Sequence, residues 1–288
     1  MASSTHSAGR YYLPEPSKWP IMAATAMLFL GFGAAFAVNH LTLGYVLLAI
    51  GLAIFAFMMF GWFGTVAHES EGGRFNQQVD ISFRWGMSWF IFSEVMFFAA
   101  FFGALFYIRA FSVPWLADAQ NKLLWPDYSG AWPAAGFGPA NVGDQFTPIE
   151  AFGLPAINTL LLLTSGVTVT IAHWALKMNK RGALIGWLIA TIALGVTFLG
   201  VQMYEYGHAY QALNLKLTTG VFGSTFFMLT GFHGFHVTVG CIMLMAILGR
   251  SIAGHFKPEH HFGFEGVAWY WHFVDVVWLL LFILVYWL

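Results

Sequence analysis

The chain has 288 residues, of which 59% are hydrophobic, 19% aromatic and only 9% charged, with a formal net charge of −1. A water-soluble domain carries about a quarter charged residues to dress its surface, so this composition makes lipid the solvent for most of the exterior. The near-zero charge offers no concentrated basic surface and excludes a nucleic-acid partner. The single cysteine, Cys241, excludes an internal disulfide or paired-cysteine metal site.

In chain order, residues 1–20 are polar and carry no short apolar core with a small-residue cleavage site, so they read as an N-terminal segment without a cleaved signal. Seven apolar runs follow, at 21–38, 43–67, 85–111, 154–176, 184–206, 220–248 and 266–288. Each meets the requirement of about 20 mainly apolar residues for a membrane-spanning helix. Backbone groups in hydrocarbon must be satisfied within the segment, and the runs are continuous rather than alternating, so helices are predicted and a strand barrel is not. The fold class is therefore an all-α integral membrane protein. One domain is expected over 1–288, with helices 1–2 in 21–67, helices 3–7 in 85–288 and a long connection at 112–153. Cys241 falls in an apolar run and reads as an inert packing thiol.

Lys and Arg placement orients the spans. Nine basic residues fall on one side: Arg10, Lys18, Arg74, Arg84, Lys177, Lys180, Arg181, Arg250 and Lys257. Three, Arg109, Lys122 and Lys216, fall on the other. The N-terminus is expected inside and the C-terminus outside. The 112–153 connection lies on the outer side, with Pro114, Pro126, Pro133, Pro139 and Pro148, the acids Asp118, Asp127, Asp144 and Glu150, and Trp115, Trp125 and Trp132. A loop of this length docks on something or hangs as a tether, and its tryptophans favour a surface seated at the interface or on a partner.

A charge in hydrocarbon costs several kcal/mol, so each intramembrane ionisable group needs a reason. Glu94 stands ten residues past Arg84, about 15 Å deeper at helical rise. Beside Ser93, Phe97 and Phe98 it has an apolar setting that favours the neutral acid. It reads either as a proton-linked or partner-facing carboxyl, or as a neutral acid bonded across helices. His272 and Asp275 share a helix face, as do His233 and His236. Paired imidazoles raise a metal site, but Zn or Cu usually wants further ligands; hydrogen bonding between helices is the favoured reading, and no metal ligand is assigned. His173, Glu205 and His208 fall near span ends, where structural roles are common. No lysine lies in any span, which rules out a retinal Schiff base, and no phosphate-loop or dinucleotide glycine motif is present. Arg250, His255, Lys257, His260 and His261 form an inner-face cationic rim, suited to anionic lipid headgroups or explained by ordinary positive-inside charge.

Three segments are more specific than generic membrane helix. They are Arg84-Trp85-Gly86-Met87 with Ser93-Glu94-Val95-Met96-Phe97-Phe98, the 220–236 run ending Thr230-Gly231-Phe232-His233-Gly234-Phe235-His236, and His260-His261-Phe262-Gly263-Phe264-Glu265 with Trp269-Tyr270-Trp271-His272-Phe273-Val274-Asp275. Together with Ser17-Lys18-Trp19-Pro20, Asn158-Thr159-Leu160 and Ser165-Gly166-Val167, they closely resemble subunit III of the haem-copper cytochrome c oxidases over nearly the whole chain.

The resemblance implies a two-helix and a five-helix bundle forming a V-shaped lipid cleft, in a non-redox subunit packed on subunit I, with subunit II in the same complex and cytochrome c as its substrate. Haem and copper then belong to partner subunits, and this chain's own ligand is phospholipid. The family role it implies is supporting assembly, proton uptake and sustained turnover. Glu94 matches the family's buried glutamate, and Trp62, Glu69, Arg250 and His255 match its lipid-site positions by place. Where many relatives carry a Trp-Arg-Asp run, this chain has Phe63-Gly64-Thr65, so a charged pair is missing. The outer loop is longer than in the mitochondrial form around 141–146, which suggests a bacterial inner membrane over the mitochondrial one. Equivalent quinol-oxidase subunits commonly lack the first two helices, which this chain has. A free-standing proton channel or transporter built on Glu94 would often show internal repeats and broken helices, and the sequence has neither.

Overall fold

A computed structural model describes residues 12–124, 126, 128, 130–133 and 146–288. Arg10, Trp125, Asp127, Pro139, Asp144 and the extra residues at 141–145 lie outside the described residues. Seven long helices carry the fold: α1 (Trp19–Val38), α2 (Thr42–Glu71), α3 (Gln77–Tyr107), α4 (Leu154–Lys177), α5 (Arg181–Gln211), α6 (Gly220–Ala253) and α7 (Phe262–Leu281). All seven are long and apolar enough to cross a membrane. Among the described residues the only extended pairing is an isolated bridge between Lys257 and His260.

The boundaries of α3 differ most from the sequence reading, which placed the third span at 85–111. Hydropathy stops at Arg84, but the helix starts at Gln77 because the Asn76 side chain accepts from the Val79 N–H at 3.0 Å and Asp80 complements the first turn. At the other end a π-helical turn, Ile108–Ser112, and a last turn, Val113–Leu116, continue it. Pro114 sits in the first turn of that last piece, where its missing N–H costs nothing. The outer connection therefore begins after Leu116 rather than at Ser112, and Arg84 lies inside a helix rather than before it. This helical stretch is 40 residues long, about 60 Å, so its ends project beyond a hydrocarbon core of about 30 Å.

The chain divides into two compact units, residues up to Phe83 and from Arg84 onward. In the first, a turn with His40 in the left-handed region (φ 59°) folds α2 back along α1. The close pairs are Ala37 with Gly44, Leu48 with Gly33, Leu30 with Gly51 and Trp19 with Gly61, which is the register of an antiparallel pair over its full length. Small residues let the backbones approach, as membrane helix pairs require where no hydrophobic drive acts between them. At Gly44 an added Cβ would collide with the Ala37 backbone. Phe63-Gly64-Thr65 lies within α2, and Thr65 Oγ1 accepts from Trp19 Nε1–H at 3.3 Å.

In the second unit α4 packs on α5, α5 on α6, α6 on α7, and α7 on α4, closing a four-helix ring. The buried face of α7 carries Phe264, Trp271, Val274, Trp278 and Leu281, all fully buried. Its ring donors tie it to α4, Trp271 Nε1–H donating to Ser165 Oγ and Trp278 Nε1–H to Thr159 Oγ1, each at 2.9 Å, and in the π-helical segment that continues it, Phe282–Trp287, Tyr286 O–H donates to Glu205 Oε1 at 2.7 Å. The Arg84–Tyr107 part of α3 joins this unit through aromatic side chains, Phe97 against Phe232 (5.1 Å) and Phe98 against Phe273 (6.1 Å).

Candidate functional site

Glu94 and His236, assigned separately from sequence, meet between α3 and α6. His236 Nε2 lies 2.9 Å from Glu94 Oε2, and His236 Nδ1 lies 2.6 Å from the Phe232 carbonyl. A carbonyl can only accept, so Nδ1 carries a hydrogen and Nε2 is left to face the carboxyl. The 2.9 Å contact suits either of two arrangements, a neutral Glu94 donating to Nε2 or an imidazolium donating to a carboxylate. Phe98 and Phe97 wall the imidazole at 5.0 and 6.0 Å. The Glu94 side chain keeps 22% exposure, so it also presents itself at the outer surface of this unit.

The other intramembrane groups separate into distinct environments. His233 is buried between Phe198 (5.9 Å) and Trp278 (5.2 Å), with neither ring nitrogen hydrogen-bonded. His272 and Asp275 share one face of α7, as their spacing predicted. His272 Nε2–H donates to Thr170 Oγ1 at 3.2 Å, whose own hydrogen goes to the Gly166 carbonyl. Nδ1 lies 3.6 Å from Asp275 Oδ2. Gly166 is glycine for room: an added Cβ would strike Asp275 Oδ2.

Sequence reasoning missed two clusters. His173 on α4, His261 at the start of α7 and Glu265 one turn further bring three possible ligand atoms within 4.8 Å of one another. They could hold a metal ion, but the carboxylate is already ion-paired with Arg84, and its Oε1 lies 3.1 Å from His261 Nε2. Only the His261–Glu265 spacing of four was legible in advance, since His173 and Arg84 come from other helices. The second cluster is Glu205, Gln202 and Tyr286, buried between α5 and the π-helical segment Phe282–Trp287 that follows α7.

Of the proposed lipid-site residues, Trp62 and Glu69 lie on α2 in the first unit. Trp62 is about half exposed and stacks on Phe63. Arg250 and His255 lie at the α6 C-terminus in the second, with the Arg250 guanidinium 4.7 Å from the Phe256 ring centre and the His255 N–H donating to the Arg250 carbonyl.

This architecture defines a polytopic helical membrane protein whose buried polar groups tie helices together. The profile of the cytochrome c oxidase subunit III family matches residues 9–288. Among curated proteins, the chain is 41% identical over 283 residues to cytochrome c oxidase subunit 3 of Formosania lacustris and 40% identical over 285 residues to that of Latimeria chalumnae, covering 98% of each chain in both cases. It is 39% identical over 278 residues to the Marchantia polymorpha protein of the same name, covering 96% of each. The chain belongs to the cytochrome c oxidase subunit III family.

Proposed function

We propose that the chain is the non-redox subunit III of a proton-pumping cytochrome c oxidase in aerobic respiration. In this reading it is a single functional domain over 1–288 that packs on subunit I beside subunit II. The complex oxidises cytochrome c at haem and copper centres held by those partners. The observation that carries the reading is the end-to-end family match, at 41% identity over 98% of the chain. Possession of both α1 and α2 favours the cytochrome c branch over the quinol one. Positive-inside charge puts the N-terminus on the cytoplasmic or matrix face and the C-terminus on the periplasmic or intermembrane face. The longer outer loop favours a bacterial plasma membrane; the eukaryotic relatives are consistent with a mitochondrial one.

Within that role, Glu94 and His236 hold a proton at the surface of the α3–α6 pair and support proton uptake over many turnovers. Glu94→Gln tests this cleanly. Its amide can still donate to His236 Nε2, so packing is kept while the exchangeable acid is lost. The complex should assemble and start at near-normal rate, then lose activity faster in sustained turnover. Identical sustained turnover would remove the proton role and leave a structural hydrogen bond.

Trp62 and Glu69 in the first unit, and separately Arg250 and His255 in the second, are proposed to contact phospholipid, the indole at the interface and the guanidinium at a headgroup. Arg250→Ala with His255→Ala should lower the anionic phospholipid co-purifying with the complex. Unchanged lipid content by mass spectrometry refutes this assignment.

A further inference from the structure

A polar cavity of about 380 Å³ opens on the second unit where the α4–α5 turn meets the α6–α7 turn, and Lys180, Arg181, Ser251, Lys257 and Glu259 line it. Asn179 in the left-handed region (φ 56°) makes the first turn tight, and Lys180 as N-cap gives α5 no side-chain acceptor for its first N–H groups. The start of that 31-residue helix is thus electropositive and uncapped. Arg181 crosses to the other wall: its Nε–H donates to the Ser251 carbonyl at 3.1 Å and Nη2 to the Ile252 carbonyl, capping α6 and fixing the two walls together. Gly254 (φ 83°) turns the chain there, and an added Cβ would press on the same guanidinium.

Two features of this pocket are unspent. Three cations line it against one carboxylate, Glu259. The Ser251 hydroxyl, on a residue 2% exposed, has no hydrogen-bond partner. A buried hydroxyl without a partner costs about 1–3 kcal/mol, and an uncapped helix start beside lysines is a standing anion site. We infer that this cavity binds a phosphate group, carried either by an anionic phospholipid headgroup or by a free phosphate anion, with Lys180 and Lys257 supplying charge and Ser251 a hydroxyl donor. Arg250 is not among the lining residues, so the site is separate from the one proposed at Arg250 and His255, and it does not rest on that reading.

The intact purified oxidase complex provides the test. Binding of two probes, dihexanoylphosphatidylglycerol and inorganic phosphate, is measured by titration calorimetry on wild type and on the Lys180→Gln/Lys257→Gln double variant. At least one probe should bind about tenfold more weakly to the variant, the effect of losing charge-assisted contacts worth about 1.4 kcal/mol. A loss confined to the lipid identifies a headgroup site; a loss seen with phosphate identifies a free-anion site. Ser251→Ala, which changes no charge, should weaken the same probe and covers the case in which the double variant does not assemble. Lys177→Gln, on a lysine that does not line the cavity, should leave binding unchanged. Equal binding of both probes to wild type and variants, no binding to wild type, or an equal loss with Lys177→Gln overturns the inference.

Discussion

Trp271→Ala is expected to destabilise the α4–α7 ring by about 3 kcal/mol, the low end for a buried tryptophan. The indole is fully buried and lies between two glycines: a Cβ at Gly195 would come within 2.7 Å of it and one at Gly240 within 2.8 Å. The low end applies because helices in lipid gain little from hydrophobic transfer, so the lost packing and the cavity dominate. Ser165 loses a donor from Trp271 but still donates to the Leu162 carbonyl at 2.6 Å, so no orphaned hydroxyl adds to the cost. Trp271→Phe should recover most of the loss. Thermal release of this subunit from the purified complex measures both; release of Trp271→Ala at the wild-type temperature would contradict the packing account.

Arg84→Met is expected to cost about 2–4 kcal/mol, because it leaves the Glu265 carboxylate buried without its ion-pair partner. The Glu265 side chain is 10% exposed and that of Arg84 36%, so the penalty falls on the acid while solvent moderates the guanidinium's share. His173 and His261 remain near the carboxylate, and a proton on either offsets part of the loss. The double variant Arg84→Met/Glu265→Met removes both charges and should be more stable than Arg84→Met alone. A double variant no better than the single one would show that Arg84 acts through packing on Phe262, whose ring centre lies 5.5 Å away.

These two sites illustrate what sequence can carry. The seven spans were legible because hydrocarbon imposes length and apolarity on each run separately, a one-dimensional constraint. Glu94 was legible for the same reason, as a charge where charges are costly. Its partner was not: His236 lies on a helix far along the chain, and only packing decides that it, rather than His233, faces α3. His233 has the same residue type and nearly the same position, yet ends among Phe198 and Trp278. The start of α3 was misjudged because an Asn76 cap and Asp80 dictate it, and hydropathy does not register caps. The His173–His261–Glu265–Arg84 cluster draws on three helices, and no spacing rule within one run could assemble it.

On the function proposed above, this chain works through contacts and proton-holding side chains while the redox centres belong to its partners. Capturing the complex by a tag on this chain in mild detergent, then stripping the chain away, tests it most directly. Haem and copper should arrive with the captured chain and stay with the remaining subunits after it is removed, with an unchanged haem spectrum but activity that now decays during turnover. Capture without haem-bearing subunits, or haem or copper leaving with this chain, would contradict it.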